Sequence, residues 1–279
     1  MRRSWPIIVV TLSLVFGAGL AFSGSAADAA TGSGLAGGPV VGALSGMVQP
    51  GGPVSRTTTS MTGALASSTS PSVIPSANWA GYVATGAAGG YTGVSSSWTE
   101  PTGQCGQGDQ YSAFWVGLDG LSDSTVEQTG SEVDCSGSTA KYSAWYEMYP
   151  AAPVYFTNPV KPGDALSGSV TYENNAFQIT LADSTQGWTQ TVSQSLATAE
   201  RSSAEVVAEA PCCTAGGGVL PLTDFGSASF TSVTVNGAGL CDADPEEITM
   251  PGASVTPVSS CQDFGVSYGG GPSGGTLSS

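Results

Sequence analysis

Any chemistry in this chain is done without histidine, because its 279 residues contain none. That excludes Ser-His-Asp and Cys-His nucleophilic sites, His-ligated zinc and any histidine acid–base pair. Carboxylates and amides remain, and three side chains stand out: Gln128 in Gln128-Thr129-Gly130, Glu147 in Trp145-Tyr146-Glu147-Met148-Tyr149, and Glu209 in Ala204-Glu205-Val206-Val207-Ala208-Glu209. One Glu carboxylate can take a proton from water and later return it to a leaving amine. A side-chain amide can donate to the developing oxyanion, which an ionised carboxylate cannot. Such a set would hydrolyse a peptide bond. A glycosidase instead flanks its bond with two carboxyls, about 5–5.5 Å apart in a retaining enzyme, and Glu147 with Glu209 supplies those residue types equally well. On residue chemistry alone both reactions stay open.

The elements that carry these residues read as β-strands. Side chains two apart on a strand share a face. In Ala113 to Asp119, Phe114, Val116 and Leu118 make an apolar face, and Ala113, Trp115, Gly117 and Asp119 make the other. Val126, Gln128, Gly130 and Glu132 fall together in Ser124 to Glu132. Tyr142, Ala144, Tyr146 and Met148 oppose Trp145, Glu147 and Tyr149, and Ala204, Val206, Ala208 and Ala210 oppose Glu205, Val207 and Glu209. Taken singly, each polar face is an ordinary solvated one. Taken together, four faces bearing Trp, Tyr, Gln and carboxylates without Lys or Arg describe a cleft for an extended polar polymer, peptide or polysaccharide. A secreted β-sandwich glycanase using Glu147 and Glu209, and a non-catalytic sugar-binding module using Trp79, Trp115 and Trp145, are the alternatives to a peptidase.

Composition sets the frame. With 40 Gly and 17 Pro the chain is too rich in breakers for a helical protein, and 40% hydrophobic residues make it too apolar for wholesale disorder. A net charge of −15 argues against nucleic acid and anionic membrane surfaces as partners. Arg2 and Arg3, the apolar run Trp5 to Phe22 and Ala27-Asp28-Ala29 read as a secretory signal over residues 1–29, so the mature protein is expected outside the cell and off the membrane. Residues 30–72, whose only charge after Asp28 is Arg56, read as a low-complexity linker or a removable pro-segment, and 269–279 as a flexible tail. Between them, residues 73–268 form one domain holding 20 of the 21 acids against Lys141, Lys161 and Arg201, a formal charge of −17. Its turn clusters, such as Ser136-Gly137-Ser138 and Lys161-Pro162-Gly163-Asp164, separate short runs rich in Val, Thr, Tyr, Phe and Trp. The expected fold is all-β, a two-sheet antiparallel β-sandwich of concanavalin-like or jelly-roll-like form. Six cysteines fit an exported chain with disulfides, and proximity favours Cys105 with Cys135 and Cys241 with Cys261. No CxxC pair points to a metal, no cofactor is indicated, and a monomer is the default.

Four motifs in order decide between the alternatives: Asn78-Trp79-Ala80-Gly81, Trp115-Val116-Gly117-Leu118-Asp119-Gly120, Gln128-Thr129-Gly130 and Trp145-Tyr146-Glu147-Met148-Tyr149-Pro150. Together they resemble the glutamic peptidase (eqolisin) family over roughly residues 77 to 232. The resemblance implies a β-sandwich, acid-acting, pepstatin-insensitive endopeptidase with a Gln/Glu dyad and protein or peptide substrates. Gln128 matches the family's catalytic glutamine. Its glutamate, in an Ala-Glu-x-x-x-Glu arrangement, matches Glu209, with Glu205 the residue it could be confused with. Trp79, Trp115, Asp119, Trp145, Glu147 and Tyr149 fall on positions that resemble the family's cleft wall and dyad supports. Val206, Met148 and Ser143 depart from the fungal pattern, which bears on subsite shape and not on the dyad.

Overall fold

The computed structural model describes residue 53 and residues 73–106, 108–211 and 218–270. The expected export signal, nearly all of 30–72, the Cys212-Cys213 pair and the tail beyond 270 lie outside the described residues.

Sixteen strands follow one another in these residues. The first eight are β1 (Val73–Pro75), β2 (Trp79–Thr85), β3 (Gly93–Thr99), β4 (Gln110–Leu118), β5 (Val126–Ser136), β6 (Thr139–Tyr149), β7 (Val154–Tyr155) and β8 (Ala165–Glu173). The rest are β9 (Ala176–Asp183), β10 (Trp188–Gln194), β11 (Ser203–Glu209), β12 (Ser227–Val235), β13 (Ala238–Gly239), β14 (Glu246–Thr249), β15 (Ala253–Val255) and β16 (Phe264–Tyr268). One sheet runs β1-β14-β2-β11-β4-β5-β6-β7, and the other β10-β9-β8-β3-β12-β16-β15 with β13 beside β12. Every strand pair is antiparallel except β1 with β14. The single helix among the described residues is one 3₁₀ turn, Leu240–Ala243, and none there is long and apolar enough to cross a membrane.

Alternation explains the second sheet. Along β3, Val94, Ser96 and Trp98 point inward while Ser95 and Ser97 point out. Outward hydroxyls pair across strands, Ser95 with Thr234 at 2.8 Å and Thr180 with Thr191 at 3.0 Å. Its inward residues, among them Val170, Ile179, Leu181 and Phe230, close on Phe114, Val116, Leu118 and Val206 of the first sheet. Each such side chain contributes about 1.5–3 kcal/mol on burial. The two-sheet sandwich is the fold expected from the sequence.

In the first sheet the alternation disappears from the burial pattern, since β4, β5 and β11 are buried on both faces over most of their length. A second apolar cluster, Trp79, Val83, Ala113, Trp115, Val126, Trp145, Val207 and Ile248, occupies the face turned away from the other sheet. The polar face expected to be either solvated or a cleft is therefore a buried one.

Local chemistry fixes the pairing. Gly137, at φ 58°, and Ser138 form a two-residue turn that sets Ser136 opposite Thr139, hence the whole β5–β6 register. Cys105 is bonded to Cys135 and Cys241 to Cys261, the two pairings that proximity favoured.

Candidate active site

Strand register sorts the far face of the first sheet into rows. Glu205, Gly117, Gln128 and Glu147 lie side by side on β11, β4, β5 and β6. In the next row stand Val207, Trp115, Gly130 and Trp145, with Tyr155 beyond on β7. The third holds Glu209, Ala113, Glu132 and Ser143, and Trp79 of β2 pairs with Glu209 from the other side. Gln128 and Glu209 thus occupy opposite corners of a three-strand block with Trp115 at its centre. Two strand spacings and four residues of rise put their Cα atoms about 16 Å apart on a flat sheet.

Trp115 can sit at this centre because its neighbours are glycines. A Cβ on Gly130 would lie 2.2 Å from the Phe114 carbonyl oxygen and 2.5 Å from Trp115 Cβ. One on Gly117 would meet the Trp115 ring at 2.9 Å and Gln128 Cβ at 3.0 Å. The glycines of the Trp-Val-Gly and Gln-Thr-Gly motifs are the space that the indole fills. Trp79 packs edge-on against it, with ring centroids 4.9 Å apart.

Two donors hold the Glu209 carboxylate. Trp115 Nε1 donates to Oε2 at 2.7 Å, and Asn78 Nδ2 donates to Oε1 at 3.2 Å. Asn78 is itself aimed by Ser76, whose hydroxyl donates to Asn78 Oδ1 and accepts the backbone N–H groups of Asn78 and Trp79. Gln128 donates from Nε2 to Glu147 Oε2 at 2.7 Å. A carboxylate only accepts, so Glu147 turns the amide's NH₂ end toward itself, and the second N–H of that group is available for a substrate oxygen. Gln128, Glu147 and Glu209 are all fully buried.

Asp119 stands apart from the rows, just past the end of β4 with φ 70°. It accepts the backbone N–H groups of Arg201 at 2.6 Å and Ser202 at 2.7 Å, tying β4 to the residues that lead into β11. Tyr149, at the end of β6, packs half-buried against the Trp79–Trp115–Trp145 cluster.

Burial dominates the electrostatics. Glu127, beside Gln128 but on the opposite strand face, is pushed up to about 9 by burial, then by Asp119 and Asp123. Burial raises Glu205 well above the usual carboxylate range, with Asp119, Asp123 and Glu127 adding to it. Glu132 is raised in the same way by burial and then by Asp134. Asp134, next along the strand, reaches about 7 through burial, opposed by Lys141.

Gln128, Glu209, Trp79, Trp115, Trp145, Glu147 and Tyr149 lie on or against this face, and Asp119 lies apart from them, past the end of β4. Asn78, Glu132 and Tyr155 belong to the site as well. Asn78 carried a signal, since it opens the Asn78-Trp79-Ala80-Gly81 motif. Glu132 shares the strand face of Gln128, and only its register with Glu209 reveals its place.

The chain is similar to known proteins. The model of the Peptidase A4 family matches residues 77–262, two thirds of the chain. The chain belongs to the Peptidase A4 family. It is a glutamic endopeptidase, 29% identical over 220 residues to aspergillopepsin-2 of Aspergillus niger, covering 66% of this chain and 74% of that protein. Among solved structures the peptidase is similar to scytalido-glutamic peptidase in complex with a transition-state analogue inhibitor, with a TM-score of 0.59 and 25% identity over 69% of this chain and 98% of the other. It shares its fold with SCP-B, an eqolisin-family peptidase complexed with the tripeptide Ala-Ile-His, at a TM-score of 0.54 and 24% identity over 69% of this chain and 98% of that one.

Proposed function

We propose that this peptidase is exported, acts in acid and cleaves peptide bonds through Gln128 and Glu209. The observation that carries the reading is the pair of donors, Trp115 and Asn78, that fix the Glu209 carboxylate on the face where Gln128 is oriented by Glu147. Water attacks the scissile carbonyl carbon while Glu209 takes its proton. The free N–H of Gln128 donates to the oxyanion that forms. As the tetrahedral intermediate collapses, the C–N bond breaks and protonated Glu209 returns the proton to the leaving amine. Trp79, Trp115 and Trp145 form a buried apolar bed beside the pair, and Tyr149 its half-buried edge.

Glu147 is engaged by the Gln128 amide, which counts against the glycanase alternative, in which that carboxyl would act on the sugar. Residues 1–29 serve as the export signal in this reading, and 30–72 as a linker or a pro-segment removed after export.

The deciding experiment compares release of acid-soluble peptides from casein in acid with release of reducing sugar from xylan and glucan. Peptide release by the wild type and its loss in Glu209→Gln support the proposal. Sugar release, or full proteolysis by Glu209→Gln, overturns it.

A further inference from the structure

The dyad occupies one diagonal of the three-strand block, and two carboxyls, Glu205 and Glu132, occupy the other. They differ in their surroundings. Glu205 lies toward Asp119, Asp123 and Glu127, in the acidic cluster that closes the β4–β5 end. Glu132 stands in the same row as Glu209, with only the methyl of Ala113 between the two strands.

Glu132 is about 1% exposed, and its Oε1 has no hydrogen-bond partner. Oε2 accepts the Tyr155 hydroxyl at 3.4 Å, a long bond. Lys141, the one lysine of this sheet, pairs with Asp134 and not with Glu132. The other titratable groups that act on Glu132 are Asp134, Glu100 and Tyr155, none of them cationic. A buried carboxyl oxygen without a donor is an unsatisfied acceptor, and each such group calls for an explanation.

We propose that Glu132 is a specificity-determining residue that receives a lysine or arginine side chain of the peptide substrate beside the scissile bond. A guanidinium or ammonium entering over Ala113 supplies the donor that Oε1 lacks. A substrate with an isosteric apolar side chain leaves the carboxyl unpaired and is rejected for that reason. The Tyr155 hydroxyl on the far side of Glu132 holds the acceptor in place. The inference uses the Gln128/Glu209 reading only to locate the scissile bond.

The test uses matched peptides carrying lysine, arginine or norleucine at one position at a time on either side of the cleaved bond. Values of kcat/KM are measured for the wild type, Glu132→Gln and Glu132→Asp, with folding checked by thermal melts. At one position the wild type should prefer lysine or arginine over norleucine by roughly tenfold to a hundredfold, the worth of one hydrogen bond to a charged group. Glu132→Gln, which can never carry the charge, should bring that ratio close to one, and Glu132→Asp should retain a reduced preference. Absence of a basic preference in the wild type overturns the proposal. So does a ratio unchanged by Glu132→Gln, or a parallel loss on all peptides. If Glu132→Gln does not fold, the Glu132→Asp ratio decides: unchanged, it overturns the proposal, and lowered, it supports it. Failure of the dyad reading looks different, because it is full turnover by Glu209→Gln whatever the lysine-to-norleucine ratio.

Discussion

Trp115 donates its indole N–H to the Glu209 carboxylate at 2.7 Å, although 94 residues separate the two along the chain. The bond makes a residue of the apolar cluster part of the geometry of the proposed dyad. Trp115→Phe keeps most of the ring's packing but removes the donor. A hydrogen bond to a charged group is worth about 1.5–3 kcal/mol, so kcat should fall by roughly tenfold to a hundredfold with KM much less affected. Trp79→Phe is the control. Its Nε1 has no hydrogen-bond partner, so the same change there should cost some melting temperature and far less kcat. Equal losses in the two variants would show that packing, not the donor, matters at Trp115.

The two motif glycines predict a different kind of failure. Gly130→Ala places a methyl 2.2 Å from the Phe114 carbonyl oxygen, a backbone atom that cannot step aside, and should prevent stable folding. Gly117→Ala collides with side-chain atoms of Trp115 and Gln128 at 2.9 and 3.0 Å. The Trp115 ring can tilt, while Gln128 Cβ moves only with its backbone, so this variant should fold with a lower melting temperature and lose most of its activity. Melting curves and casein turnover side by side separate the two. A fully active Gly117→Ala would mean that the indole position tolerates displacement.

Strand faces were legible in the sequence because a period of two needs no knowledge of partners. Phe114, Val116 and Leu118 face the second sheet, and Trp115 and Gln128 the other side, as alternation required. The disulfide pairs followed from proximity because both close short loops, with separations of 30 and 20 residues. Partners set by register were not legible. Asn78 reaches Glu209 across 131 residues, and nothing local to either one specifies that β2 and β11 are neighbours. Glu127 and Glu132 were hidden for a related reason, since burial of both faces of β5 depends on what packs there and not on the strand's own pattern.

The buried acids make stability depend on pH in a definite direction. Glu100 is raised to about 8, Glu127 to about 9 and Asp134 to about 7, from ordinary values of 4.5 for Glu and 3.8 for Asp, in each case mainly by burial. Between the unfolded and folded values the folded protein binds more protons, so stability falls as pH rises. The contribution is complete below about pH 4 and is lost progressively up to about pH 9. The −17 charge of the domain adds self-repulsion in the same direction. Melts of the protein should therefore be highest in acid and decline toward alkaline pH. Glu100→Gln and Glu127→Gln, neutral at every pH, should each flatten the decline. A melting temperature that climbs from acid to neutral would contradict this account.

The dyad itself is tested by four substitutions whose pattern matters more than any one of them. Glu209→Gln keeps the shape and can still accept from Trp115 or from Asn78, though not from both, and it cannot take a proton from water, so turnover should fall to near background. Gln128→Ala removes the oxyanion donor and should cost roughly 10²–10³ in kcat with little change in KM. Gln128→Glu should not restore activity wherever the new carboxylate is ionised, because it repels the oxyanion and also faces Glu147 across the strand pair. Glu147→Gln should be milder than either loss, because the new amide still offers an acceptor but no longer dictates which end of Gln128 faces it. Two-carboxyl catalysis by Glu147 and Glu209 gives the opposite pattern, with both Glu→Gln changes crippling and Gln128→Ala nearly silent. Steady-state kinetics on a protein substrate in acid, with melts matched to the wild type, distinguish the two. Full activity in Glu209→Gln would move the general base to Glu205, which stands on the same strand face four residues earlier, in the row of Gln128 with Gly117 between them.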